Sequence, residues 1–184
     1  FHQIEKLSVI KKRIFILSKT NYKKFHNLLK KKFKRLKFIF LEENKPLGNA
    51  GCLKNLEKYN SENFLIIYGD LIFNIDFKKF IKFHLQKKSH LTLLVHPNDH
   101  PSDSDIVEIN KEFKIIKLHN KPHKKMNIGN LCMSGIFIIN KKILKYLKLD
   151  KFQDFSNDLL GKLLKTNLKI HAYNTREYVK DAGT

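Results

Sequence analysis

The sequence predicts an α/β domain with a mostly parallel, doubly wound sheet flanked by helices. The first observation is alternation. Short apolar, β-branched runs at 13–17, 37–41, 64–68 and 91–96 are separated by stretches whose apolar residues recur at helical spacing. The second is size, because 184 residues, 42% of them hydrophobic, suffice for one domain with a sizeable core. The third is uniformity, since no internal repeat, low-complexity linker or composition break divides the chain.

Each element has a local reason. Residues 2–12 read as a helix and 13–17 as a strand. Residues 21–35 read as a basic amphipathic helix, with Phe25, Leu28, Leu29, Phe33 and Leu36 at core spacing. A second strand at 37–41 is followed by a loop over 42–48 and a short helix at 50–59. The third strand, 64–68, is broken by Gly69. A helix over 76–88 carries Phe77, Phe80, Ile81 and Leu85 on one face, and 91–96 is the fourth strand. The pattern then changes. Ile106–Ile109 and residues 113–118 flank the polar turn Asn110-Lys-Glu112, which predicts a hairpin. Residues 133–139 form a further central strand, 141–148 and 155–165 read as helices with Asp154 or Ser156 as N-cap of the second, and 168–173 is another strand.

Charge and cysteines bound the function. Lys and Arg number 37 against 17 Asp and Glu, a net charge of +20. That balance suits a polyanion. It follows equally from a composition rich in Lys, Ile, Asn and Phe, whose codons are all A/T-rich. The run Lys30-Lys-Lys-Phe-Lys-Arg-Leu-Lys37 carries Phe33 and Leu36 at core spacing, so it reads as a solvated helix face, and nucleic acid is not the expected partner. No apolar run approaches the ~20 residues of a membrane span, and no signal peptide opens the chain. Cys52 and Cys132 form no CxxC and imply no disulfide framework, so a cytoplasmic location is expected. Because the chain opens on Phe1 and stops at Thr184 straight after a glycine, residues 1–184 are expected to be a single domain truncated at both ends.

Chemistry enters with two aspartates. Asp70 closes Phe64-Leu-Ile-Ile-Tyr-Gly-Asp70 and Asp181 closes Tyr178-Val-Lys-Asp181. Strands of an open α/β sheet present ligands at their carboxyl ends. Two carboxylates meeting there repel each other unless a divalent cation lies between them, and Mg²⁺ is held by one or two carboxylates plus substrate phosphates. Spacing alone leaves open that Asp70 is a turn residue and Asp181 a surface acid. In Pro46-Leu-Gly-Asn-Ala-Gly51, between a strand and a helix, small residues let backbone N–H groups approach an anion. His96 and His100 with their intervening acid read as a loop rather than a metal site, and no cysteine neighbours a His–acid pair for thiol catalysis.

Taken in order, Pro46-Leu-Gly-Asn-Ala-Gly51, Tyr68-Gly-Asp70, Lys121-Pro122, Ser134-Gly-Ile-Phe137 and Lys180-Asp-Ala-Gly-Thr184 resemble the motifs of the sugar-phosphate nucleotidylyltransferases. These enzymes join a nucleoside triphosphate to a sugar 1-phosphate and release pyrophosphate. The resemblance runs from about residue 13 to the end. The stretch from His96 to Asp105, followed by Ile106-Val-Glu108, looks most like the D-glycero-D-manno-heptose 1-phosphate guanylyltransferase and mannose-1-phosphate guanylyltransferase branch. The fold so implied is Rossmann-like, of the nucleotide-diphospho-sugar transferase type, with the first strand and the Gly-rich triphosphate loop missing from this chain.

The resemblance implies roles residue by residue. Asp70 and Asp181 match the Mg²⁺ carboxylates and Lys121 the lysine that neutralises the sugar phosphate; these three are the expected catalytic set. Glu43, Gly48, Ala50 and Gly51 fall at the nucleotide, where a Glu43 carboxylate suits the N–H donors of guanine. Asp105, Asn120, Lys121, Ser134 and Gly135 fall at the sugar phosphate. Asn49 replaces a usual Thr, Asn120 the Glu of EKP, and Met133-Ser134 a usual Asn-Ala. GTP with a heptose or mannose 1-phosphate is the expected substrate pair, in lipopolysaccharide or capsule biosynthesis. A fused phosphatase domain and an oligomer are compatible with that branch. Two rival classes remain: a non-catalytic nucleotide-sugar-binding module of the same fold, and a basic nucleic-acid-binding domain with salt-sensitive affinity.

Overall fold

The structure, a computed structural model, describes residues 1–7, 14–19, 23–98, 101–122 and 128–182. Parts of several expected features therefore lie outside the described residues: helix residues 8–12 and 21–22, strand residue Arg13, His100 with Asp99, and Gly183-Thr184.

The chain begins with helix α1 (His2–Leu7), strand β1 (Ile14–Lys19), helix α2 (Lys23–Lys32) and strand β2 (Phe38–Glu43). A helical turn α3 (Gly48–Gly51) continues into the 3₁₀ turn Cys52–Leu56. Strands β3 (Asn63–Ile67) and β4 (Leu71–Asn74) precede helix α4 (Phe77–Gln86), and β5 (Leu91–Pro97) leads to the hairpin of β6 (Ile106–Ile109) and β7 (Ile115–His119). The long β8 (Leu131–Asn140) and a 3₁₀ turn, Lys141–Tyr146, come next. A π-helical turn, Phe155–Leu160, runs into α5 (Gly161–Leu163), and strands β9 (Ile170–Asn174) and β10 (Tyr178–Asp181) complete the chain.

Strand β8 organises the central six-stranded sheet. One edge runs antiparallel to β5; the other meets β3 over Ile136–Asn140 and β6 at Cys132. Strand β9 pairs parallel to β5. The α/β class with a central sheet flanked by helices is thus as predicted. Strands β3, β5, β6 and β9 share one direction, but β8 runs against them, so most hydrogen-bonded pairs of this sheet are antiparallel. A uniformly apolar strand carries no mark of its direction, which is why the alternation of elements could not reveal this reversal.

The core explains the apolar runs. On β5 and β8, Leu93, Val95, Phe137 and Ile139 face one buried cluster, while Leu94, Ile136 and Ile138 face another. The first is closed by α3, the turns around Leu53–Leu56 and Leu159–Leu163. The second is closed by Phe73 of β4 and by Phe77 and Phe80 of α4. Burial on both faces removes the polar alternation of a half-exposed strand.

Two expectations change. Helix α2 buries His26 and Leu29, whereas Phe25 is 38% and Leu28 48% exposed. His26 stacks on Phe40 with ring centroids 3.7 Å apart, so His26 joins Leu29 on the buried face in place of the expected Phe25 and Leu28. Strand β4 is additional: it pairs antiparallel with β10 as a two-stranded ribbon outside the main sheet. Strands β1 and β2 form a separate parallel pair, docked through Phe15 against Tyr59 and Phe64. Among the described residues β3 pairs only with β8.

A buried histidine makes one fold prediction. His84 is 2% exposed and lies between the Thr92 hydroxyl, 2.8 Å from Nδ1, and Asn63 Oδ1, 3.2 Å from Nε2. The amide oxygen only accepts, so Nε2 carries the proton and Nδ1 accepts from Thr92. Burial, with the neighbouring His171 and His90, lowers its pKa from 6.5 to about 4. Between those values the unfolded chain binds the extra proton. The contribution is therefore complete above the unfolded pKa and is lost as pH falls toward the folded one. It amounts to about 3 kcal/mol. Thermal melting followed from about pH 7 to about pH 4.5 should fall less steeply for His84→Gln than for the wild type; equal slopes would show that His84 does not titrate across the unfolding transition.

Candidate active site

The site is built where β3 ends and β10 returns beside it. Asp70 follows the turn after β3. Strand β10 pairs with β4 so that Asp181 lies opposite Leu71, and the Ala182 N–H donates to the Asp70 carbonyl at 2.7 Å. The backbones of two aspartates more than a hundred residues apart in sequence are thereby brought to neighbouring positions, both residues exposed. The turn is held from behind by Gln3 of α1, whose amide donates to the carbonyls of Tyr68 at 2.9 Å and Leu71 at 2.8 Å. Nothing in the sequence singled out Gln3, because its partners lie far along the chain.

Tyr68 links this corner to the next. Its N–H donates to the Gly135 carbonyl at 3.1 Å, and a Cβ on Gly135, which has φ +74°, would lie 2.7 Å from the Tyr68 ring. Only glycine allows that approach. Burial raises the Tyr68 phenol well above its ordinary range, reinforced by Asp154, Cys52, Asp105 and Asp70. The phenol is thus kept protonated by burial first and by the field of carboxylates from three segments second.

The Lys121 loop is anchored by Asp105. One carboxylate oxygen accepts from the Lys121 N–H at 3.0 Å and the other from the Ser156 hydroxyl. Asn120 donates to Asn157, whose own N–H groups bond Asp154 Oδ1. Asp154 is the N-cap of the π-helical turn, one of the two expected caps. At the base of the loop, the hydrogen bond from His119 holds the Glu108 carboxyl below the usual carboxylate range, with Lys117 adding to it.

Several expected contacts are already engaged inside the protein. Ser134 is 6% exposed; its hydroxyl donates to the Leu94 carbonyl at 2.9 Å and accepts from Ile136 N–H, so it serves the sheet and is not free for a sugar phosphate. The N–H groups of Ala50 and Gly51 both donate to the Gln153 carbonyl, at 3.0 and 3.2 Å. They shape the loop and are not open anion donors. Glu43 accepts from Leu47 N–H at 3.2 Å across the same loop. Burial, with Glu43 beside it, pushes the Cys52 thiol up to about 12, which leaves it protonated and unfit as a nucleophile.

Among the described residues, no three His, Cys, Asp or Glu side chains converge as a metal cage. The Asp70–Asp181 pair fits Mg²⁺ by donor chemistry: two exposed, hard oxygen ligands, with the remaining positions open to phosphate and water. Nor, among the described residues, is any helix long and apolar enough to cross a membrane.

Comparisons with known proteins agree with this architecture. The model of the nucleotidyl transferase family matches residues 2–184. A glucose-1-phosphate adenylyltransferase of Bacillus cereus is 36% identical over 140 residues, covering 72% of this chain and 37% of the relative. One from Clostridium novyi is 33% identical over 137 residues, covering 70% and 35%. The chain thus spans little more than a third of the length of these curated relatives. The crystal structure of HddC from Yersinia pseudotuberculosis superposes with a TM-score of 0.79 at 27% identity, covering 99% of this chain and 79% of that one. HddC has also been solved in complex with GMP-PN. A Bacillus anthracis structure containing sucrose, with a TM-score of 0.84 at 22% identity over 100% of this chain and 76% of its own, shares the fold. A strand-end aspartate pair, a lysine loop anchored by Asp105 and a family match along nearly the whole chain converge on one conclusion: this chain belongs to the nucleotidyl transferase family, among the sugar-phosphate nucleotidylyltransferases.

Proposed function

We propose that this chain supplies the site for nucleotidyl transfer from a nucleoside triphosphate to a sugar 1-phosphate. A phosphate oxygen of the sugar 1-phosphate bonds to the α-phosphorus, the bond from that phosphorus to the pyrophosphate oxygen breaks, and pyrophosphate leaves. The observation that carries the reading is the juxtaposition of Asp70 and Asp181 across the β4–β10 ribbon. Those two carboxylates would hold Mg²⁺, which when bound lowers the repulsion between two anionic substrates. Lys121 neutralises the sugar phosphate, and none of the ion pairs among the described residues engages it. The protein contributes position and charge, and no protein nucleophile is required.

For the base and sugar, the reading favours GTP with a heptose or mannose 1-phosphate. Glu43 near the loop suits guanine, and HddC, solved with GMP-PN, shares the fold at 27% identity. A second reading, ATP with glucose 1-phosphate, is favoured by the 36% identity to adenylyltransferases. Pyrophosphate release by the full-length protein, over a panel of four triphosphates and glucose, mannose and heptose 1-phosphates, separates them. No release with any pair would refute the function.

Lys121→Ala gives a sharper test. Removing a charge-assisted contact costs about 1.5–3 kcal/mol. KM for the sugar phosphate should rise roughly 10- to 100-fold, and KM for the triphosphate should stay within about twofold. An equal rise in both would mean that Lys121 does not face the sugar phosphate.

A further inference from the structure

We propose that residues 148–157 form a brace that makes nucleotide and sugar-phosphate binding interdependent, with Asn49 and Ser156 as its positioning residues. The inference rests on the half-sites assigned above. The brace grips the nucleotide loop at one end: Gln153 N–H donates to the Leu47 carbonyl at 2.9 Å, the Gln153 carbonyl accepts from Ala50 and Gly51, and Phe155 N–H donates to Asn49 Oδ1 at 2.7 Å. At the other end it grips the sugar-phosphate loop through Ser156 to Asp105 and Asn157 to Asn120.

The two grips meet at neighbouring residues. Phe155 carries the bond to Asn49, and Ser156, next in the chain, carries the bond to Asp105. Only one peptide unit separates the two Cα atoms, so both loops are gripped at adjacent residues of one segment. The Phe155 ring is buried and stacked on Phe137 at 4.2 Å, so this junction is seated on the central sheet. Gln153 Oε1 accepts from Lys148 N–H at 2.6 Å and closes the segment on itself. A segment seated this firmly passes a displacement of either loop to the other, so a ligand that fixes one loop also fixes the position that the ligand on the other requires. Such coupling is reciprocal and typically 5- to 150-fold.

The departure at residue 49 belongs to this device. The Asn49 amide oxygen is the acceptor that reaches Phe155 N–H across the gap. The Ser156 hydroxyl, in turn, donates to the Asp105 carboxylate. Neither residue stands in the set expected to touch substrate.

The test titrates the full-length protein with guanosine α,β-methylene triphosphate, which cannot release pyrophosphate, with and without saturating mannose 1-phosphate. The adenosine analogue and glucose 1-phosphate replace them if the activity panel selects that pair. The wild type should bind the analogue about tenfold more tightly when the sugar phosphate is present. Ser156→Ala should erase that factor while leaving affinity for the analogue alone within about twofold, although residue 156 contacts only the sugar side. Asn49→Ala should erase it from the nucleotide side, and Ser156→Thr, which keeps the hydroxyl, should retain it. A simple loss of stability would lower the melting temperature without separating these affinities. Undiminished coupling in the folded alanine variants, or none in a wild type that binds both probes, overturns the brace. A wild type that binds neither pair overturns the assignment of the half-sites, and the brace with it.

Discussion

Asp70→Asn in the full-length protein should lower kcat for nucleotide-sugar formation on the order of 10²–10³ while leaving the melting temperature nearly unchanged. The two expectations have separate causes. Asp70 is exposed, and it is its carbonyl that accepts from Ala182 N–H, so the amide variant keeps the backbone tie that joins β10 to the turn. Gln3 still clamps the carbonyls on either side of that turn. What the substitution removes is the negative charge that the proposed function assigns to binding Mg²⁺. Asn remains an oxygen donor, but it is neutral and a weaker partner for a hard cation. Asp181→Asn should behave alike, and the double variant should lose little more than either single one, because groups that act as a unit are strongly non-additive. Steady-state kinetics with a pyrophosphate-release readout decides the matter; near-normal turnover of Asp70→Asn with Mg²⁺ present would remove Asp70 from the chemistry.

Sequence reasoning reached that pair and missed much of what holds it. Asp70 and Asp181 stand out because each ends an apolar run, a local signal. Strand β4 does not stand out: Leu71–Asn74 alternates buried and exposed over only four residues, and its partner β10 comes more than a hundred residues later. The same limit governs the polar atoms. Whether the Ser134 hydroxyl is free depends on the Leu94 carbonyl, and whether the Ala50 and Gly51 amides are free depends on Gln153. Motif spacing locates such groups along the chain and says nothing about partners brought in by packing. Tyr68 lay in plain view inside Tyr68-Gly-Asp70, yet the field of three carboxylates on it exists only once the end of β3, the segment before β6 and the π-helical turn are assembled. Apolar runs, by contrast, were legible because burial on both faces of β5 and β8 requires them.

Gly48 shows how a loop read as a ligand cradle is first a packing device, and its replacement should have the largest effect on stability. Gly48 has φ +75°, and an added Cβ would lie 2.5 Å from the Gln153 carbonyl oxygen and 3.2 Å from the Phe152 ring. The φ alone costs an L-residue about 1–2 kcal/mol. The obstructing atom is backbone, and it is the same carbonyl that accepts from Ala50 and Gly51, so it cannot retreat without breaking both bonds. Overpacking of this kind adds about 1–3 kcal/mol, and each hydrogen bond lost adds about 0.5–1.5 kcal/mol. Gly48→Ala should therefore destabilise the chain by roughly 3–8 kcal/mol, a large fraction of the total for a domain of this size. Gly69→Ala is the control, since a Cβ there meets nothing within 4 Å. Urea unfolding of both variants beside the wild type provides the comparison. A Gly48→Ala protein as stable as Gly69→Ala would mean that the Gly48 loop is not packed against Gln153, and the close approach of those two segments would have to be abandoned.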